Sequence, residues 1–301
     1  MKSNLSRCLV SALAAAAALS LTACGGGSDA PSASAPGNQP VMDVPAPTYA
    51  PDSPEMVAYT LLNEERSRCG FGRLAQNTKL DYAAKMHGLY LQANQVVTHD
   101  EDPTRPAFYA ATPTERATKA GYRDGAAEVI GPAQTPQIAV RSLLAAPGHA
   151  AAALDTAITN DVGMAFTSNA AQSFGALVVV LGTPSGPPTV LSGIRTYPCE
   201  GTSGVLARSF GEKPSPFPGQ VWGQPVYVAG TEKLKVSSAA ITGPLGDVPL
   251  IGIIRIGRPG VGFYAIAPSV LSPATVYTAT IKGDDEGVPF ERTIRFQTGP
   301  Q

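Results

Sequence analysis

The sequence predicts an α+β chain: helices enclosing a small sheet in the first half, then an all-β sandwich. Three observations predict it. Residues 53–157 repeat apolar residues at helical spacing and carry capping signals at the starts of the runs. Two short β-rich runs, 161–167 and 174–181, come next. After Gly182 the helical period disappears, and Gly and Pro punctuate short β-rich runs to the end.

The first residues set the destination. Lys2 and Arg7 are the only charges before the apolar stretch Cys8–Leu21, which is short for a permanent membrane helix and has the flanks of a signal peptide. It ends in Leu21-Thr22-Ala23-Cys24. That tetrapeptide resembles the bacterial lipobox, which implies cleavage after residue 23, acylation of Cys24 and a membrane anchor of several acyl chains. Gly, rather than Asp, follows the cysteine, which fits onward export to the outer membrane in a Gram-negative cell. Removing residues 1–23 takes away two cations and no acid, moving the net charge from −1 to −3. With no Lys/Arg-rich run either, nucleic acid is excluded as a natural partner.

Residues 24–52 are rich in Gly, Ala, Ser and Pro and are expected to be a flexible tether. Ser53-Pro54-Glu55 supplies an N-cap, a first-turn proline and a first-turn acid, opening a helix that Gly70 ends. A second helix is expected from Asn77 to Gln95, with Leu80, Ala84, His87 and Leu91 on one face. Residues 97–125 are polar and broken by prolines, leaving room for one short helix near 114–119. Thr135-Pro136 opens a helix to about Ala145; Pro147-Gly148 breaks it, and residues 149–157 allow a further turn or two. In the second half the strand candidates are 226–228, 234–242, 250–256, 261–266, 276–281 and 293–297, a spacing that suggests a sandwich. The expected boundaries are therefore a signal peptide at 1–23, the tether at 24–52, and folded domains at 53–186 and 187–301.

The first of these domains resembles the CAP superfamily of cysteine-rich secretory proteins, antigen 5 and plant pathogenesis-related proteins. The resemblance runs through an ordered set of pieces. Leu62-Asn63-Glu64-Glu65-Arg66 with Gly72 and Leu74 is followed by Leu80, Ala83-Ala84 and His87. His99, Glu115-Arg116, Gly121-Tyr122 and Glu128-Val129-Ile130 come next, and the set closes with Leu144-Ala145-Ala146-Pro147-Gly148-His149 and Asp161-Val162-Gly163-Met164-Ala165. It implies an α-β-α sandwich with a cleft holding His99, Glu128 and His149. The chain departs from the pattern at Val129, where an Asn is usual, and at Ala150, where an Arg is usual. Residues 137–141 supply no second cavity glutamate. The second domain resembles bacterial Ig-like domains, through Tyr197-Pro198-Cys199-Glu200-Gly201 and the closing runs 271–281 and 293–299.

Two imidazoles and a carboxylate make a catalytic-type zinc set, so His99, Glu128 and His149 are the candidate metal ligands. Without metal, the same groups suit general acid–base work. His87, on an apolar helix face, reads as structural. No Gly-x-Ser-x-Gly elbow accompanies Ser142 or Ser173, which disfavours a serine hydrolase. Cys69 and Cys199 are the cysteines left after Cys8 departs and Cys24 is lipidated; in an exported chain they form either a disulfide or two separate buried thiols. Two functions follow. One is an envelope-anchored binding module for a small apolar ligand, a peptide or an envelope component. The other is a metal-dependent hydrolase using the His/Glu cleft.

Overall fold

Four helices begin at caps that the sequence supplies locally. The computed structural model describes residues 40–155, 160–183, 192–209, 211–257 and 260–300. The signal peptide, Cys24 and the tether before residue 40 lie outside the described residues. Helix α1 (Pro54–Arg68) starts where Ser53 Oγ accepts from the Met56 amide at 3.1 Å. Helix α2 (Thr78–Asn94) is capped by Asn77, α3 (Pro113–Lys119) by a Thr112/Glu115 capping box, and α4 (Pro136–Ala145) by Thr135. Helix α5 (Pro147–Ala153) differs: its N-cap is Ala146, which has no polar group to offer. Proline at the first position restarts the helix here, so Pro147-Gly148 is a junction rather than a gap.

The first sheet holds β1 (Ala75–Gln76), β2 (Gly125–Pro132), β3 (Asp161–Asn169) and β4 (Phe174–Thr183), in the order β1-β3-β4-β2. Strand β2, which carries Glu128, lies in a region the sequence left unassigned. It forms by pairing antiparallel with β4, a distant partner, from Gly125↔Thr183 to Pro132↔Ala176. Alternate residues of β4 enter two cores. Ala176, Val178 and Val180 meet Leu80, Ala84 and Leu91 of α2, while Leu177, Val179 and Leu181 meet Ala58, Leu62, Val140 and Leu143 of α1 and α4. The result is an α-β-α sandwich. Gly163 allows its close packing: a Cβ there would lie 2.1 Å from backbone atoms of Leu80 and Asp81.

Residues 40–52, expected to be the end of the tether, lie against this module. The Arg73 amide donates to Val41 O at 2.6 Å, and the Tyr49 hydroxyl donates to Asp81. Gly72, at φ +73°, permits the approach, since a side chain there would meet Pro40 and Val41 at 2.8 Å.

The second half is all strand: β5 (Arg195–Tyr197), β6 (Thr202–Val205), β7 (Val226–Gly230), β8 (Lys235–Gly243), β9 (Gly246–Asp247), β10 (Leu250–Arg255), β11 (Gly262–Pro268), β12 (Val276–Asp285) and β13 (Val288–Thr298). They make two sheets, β10-β11-β7-β5 and β6-β13-β12-β8-β9. Val226, Val228 and Ile266 of one pack on Ile241, Ala279, Ile281, Ile294 and Phe296 of the other. The opposite face of the β5/β7 sheet is also buried. Tyr227, Ala229, Phe263 and Ala265 join the core formed by α1 and α4. The two halves expected as separate domains therefore share one continuous core. The Cys69–Cys199 disulfide, closing a span of 130 residues, staples that junction and settles the alternatives the sequence left open. Arg195 Nε donating to Gly70 O at 2.6 Å adds a polar contact beside it.

Candidate functional site

His99, Glu128 and His149 come together from three elements: the loop after α2, strand β2 and helix α5. The Glu128 side chain is fully buried and its Oε1 lies 3.0 Å from His99 Nδ1. Arg116, on α3 and fully buried, grips the same carboxylate, its Nη2 donating to Oε1 and Oε2 at 3.1 and 3.0 Å. The guanidinium also donates to His99 O at 2.8 Å and to Ala110 O and Ala111 O at 3.3 Å, so one side chain fixes both the carboxylate and the histidine loop.

The bond to Glu128 settles which nitrogen of His99 carries its proton. Nδ1 faces a carboxylate and donates, which leaves Nε2 as the ring nitrogen free of that bond. The His99 side chain is 43% exposed. His149 stands edge-on to it, ring centroids 6.5 Å apart. Burial, then the neighbouring His99, pushes the His149 pKa down to about 4. His149 is therefore an uncharged imidazole near neutral pH.

Behind this pair lies a second buried contact. His87 Nδ1 is 2.8 Å from Glu101 Oε1, and its Nε2 is 2.8 Å from Thr98 O and 3.5 Å from Glu128 Oε1. The Thr98 carbonyl can only accept, so Nε2 carries a hydrogen and the His87–Glu101 contact needs a further proton shared between ring and carboxyl. Glu101 also accepts from the Tyr109 amide at 2.6 Å. His87 is a scaffold residue, as its helix face suggests, yet it touches the cleft carboxylate.

These side chains and the three layers around them coincide with a family model. The model of the cysteine-rich secretory protein family (CAP) matches residues 59–182. That segment is a CAP domain. Among solved structures, an outer surface protein from Borrelia burgdorferi aligns with 20% identity over 46% of this chain and 97% of its own, at a TM-score of 0.39, which is too low to support any argument. No curated protein sequence matches.

In the CAP domain the three residues expected from sequence lie near one another, His99 bonded to Glu128 and edge-on to His149, and Arg116 and His99 engage the Glu128 carboxylate. Among the described residues no three of His, Cys, Asp and Glu converge as a metal-holding set. Sequence reasoning missed three participants. Arg116 sat within the quoted Glu115-Arg116 piece without a role, and Glu101 had no motif. Glu212 belongs to the second half, yet its carboxylate accepts from the Gly148 amide at 3.0 and 2.9 Å and from the His149 amide at 3.3 Å. Burial holds its carboxyl above the usual range.

A separate open groove of about 680 Å³ runs between α2 and the outer edge of β3, bordered by Tyr49, Tyr82, Leu89 and Phe166. Its acids are already engaged: Asp81 accepts from the Met164 amide at 2.9 Å and Glu55 from the Phe166 amide at 3.0 Å. They cover an edge strand rather than await a ligand.

Proposed function

We propose that this chain is an exported lipoprotein, anchored through Cys24 at the cell envelope. Its CAP domain is a binding module for a small apolar ligand, a peptide or an envelope component, taken up at the His99/His149 cleft. The observation that carries this reading is the Arg116–Glu128 pair. Its guanidinium ties up the buried carboxylate bonded to His99, so the polar groups left at the rim are the two imidazoles, which can exchange hydrogen bonds with a bound molecule. The lipobox-like Leu21–Cys24 supports the anchoring, and the CAP family match supports an exported, envelope-associated setting.

The test is native mass spectrometry of the full chain purified in detergent from its own envelope fraction. A bound species present in the wild type and lost in His99→Ala/His149→Ala supports the reading. A wild type free of any bound mass, or one whose adduct survives the double substitution, removes it.

One observation favours a second reading. A carboxylate that fixes a histidine tautomer, as Glu128 fixes His99, is the usual partner of a metal-ligating imidazole. Glu128 itself does not fit as a ligand beside Arg116. His99 and His149 would hold a divalent cation such as zinc, with water or the bound molecule completing its shell, and the cation would supply Lewis-acid chemistry for a hydrolase. Calorimetric zinc titration decides it: one-to-one binding abolished by the double substitution favours the metal, and indifference to the substitution refutes it.

A further inference from the structure

Helices α4 and α5 meet at Ala146, an extended residue (φ −103°, ψ 115°) that serves as C-cap of one and N-cap of the other. Two helix ends at one point leave carbonyls and amides that need partners. Helices α1 to α4 begin at their own capping side chains, Ser53, Asn77, Thr112 and Thr135. This junction has none, and its partners come from the strand-rich half. Gln224 Nε2 donates to Leu144 O at 2.8 Å, and Trp222 Nε1 donates to Ala145 O at 3.0 Å. Glu212 accepts from the amides of Gly148 and His149.

The segment that delivers these side chains is itself fixed. Trp222 is 1% exposed and packs edge-on to Phe217 at 5.4 Å. The Ser209 amide bonds to Trp222 O at 2.8 Å, and the Gln224 amide bonds to Leu206 O at 3.2 Å. The segment is a clamp built on the sandwich and closed on the one turn of the CAP domain that carries His149.

We propose that Glu212 is a positioning residue for His149, and that the cleft is composite, completed by the C-terminal half of the chain. The sandwich is then part of the site, not a spacer. Glu212 acts through the backbone amides of Gly148 and of the histidine it places. The functional weight of this inference rests on the binding reading above; its structural content does not.

The experiment reads His149 directly. The full chain in detergent is treated with diethyl pyrocarbonate at neutral pH, and acylation of His99 and His149 is followed separately by peptide mass mapping. In Glu212→Ala the His149 rate rises several-fold as its turn loosens, while His99, held by Glu128, keeps its rate. Glu212→Gln, retaining one acceptor oxygen, falls between wild type and alanine. Glu200→Ala, which removes an exposed pair with Arg295, leaves both rates unchanged. Should Glu212→Ala fail to fold, Trp222→Phe keeps an aromatic ring against Phe217, loses the donor to Ala145 O together with part of the indole volume, and is expected to loosen His149 in the same way. A His149 rate equal to wild type in the folded variant overturns the proposal, as does a parallel rise at His99, which would mean general unfolding. Native mass spectrometry on the same samples separates the two readings. A loosened His149 with full retention of the bound species defeats the binding reading alone; an unchanged His149 defeats this one, whatever is bound.

Discussion

Replacing Arg116 by Met tests the central pair of the cleft. The substitution keeps the straight aliphatic volume and removes a guanidinium that is 0% exposed. It strands the fully buried Glu128 carboxylate and leaves the carbonyls of His99, Ala110 and Ala111 without their donor. Breaking one side of a buried ion pair costs about 3–5 kcal/mol, far more than a surface pair, because the remaining carboxylate has lost its cation in a place water does not reach and keeps its contact with His99. Equilibrium urea unfolding at pH 7 reads this as a midpoint lowered by about 1–2 M. The double variant Arg116→Met/Glu128→Gln removes the stranded charge and recovers part of the loss, so the two substitutions are non-additive. A loss of less than about 1 kcal/mol in Arg116→Met, or strict additivity in the double variant, would refute the reasoning, because the pair would then behave as a solvated surface contact.

Three further outcomes follow from other parts of the molecule. His149 titrates near 4 when folded against about 6.5 when unfolded, so it lends stability that is full above pH 6.5, is lost as pH falls toward 4, and levels off below that; the ceiling is about 3 kcal/mol, less in practice for a partly exposed ring, and His149→Asn flattens that limb of a stability–pH curve. Reducing Cys69–Cys199, or replacing both residues with Ser, releases a 130-residue span and costs roughly 2–5 kcal/mol, readable as a lower thermal midpoint that no longer responds to reductant. Gly163→Ala drives a Cβ into the backbone of α2 and costs about 1–3 kcal/mol in chemical denaturation, whereas alanine at Gly246, where nothing lies within 4 Å, meets only backbone strain at φ +103°.

What the sequence made legible was local. Ser53 and Thr135 announce their helices because capping chemistry lies within three residues of each start. Helix α2 was legible from period alone, its buried residues Leu80, Ala84, His87 and Leu91 falling on one face. Strand β2 was not, because its residues Gly125–Pro132 alternate only weakly and gain their order from β4, more than forty residues away. The cleft divided in the same way. His99, Glu128 and His149 were visible as scarce residue types placed in a familiar order. Arg116 acts through a fold contact that no spacing encodes, and Glu212 meets His149 across 63 residues and two halves of the chain.

The β5/β7 sheet explains why the expected boundary near residue 187 was hard to see as anything but a domain break. A strand with one face wet alternates polar with apolar, but Val226–Gly230 is buried at all five positions and reads as a continuous apolar run. That pattern specifies a strand covered on both faces without saying by what. Here Val226 and Val228 meet the other sheet, while Tyr227 and Ala229 meet α1 and α4. The middle sheet therefore belongs equally to both halves, and removing the second would uncover the Tyr59–Leu62 face of α1 and the last turn of α4, just before the α5 helix that carries His149. Stability and cleft geometry are coupled through that one sheet.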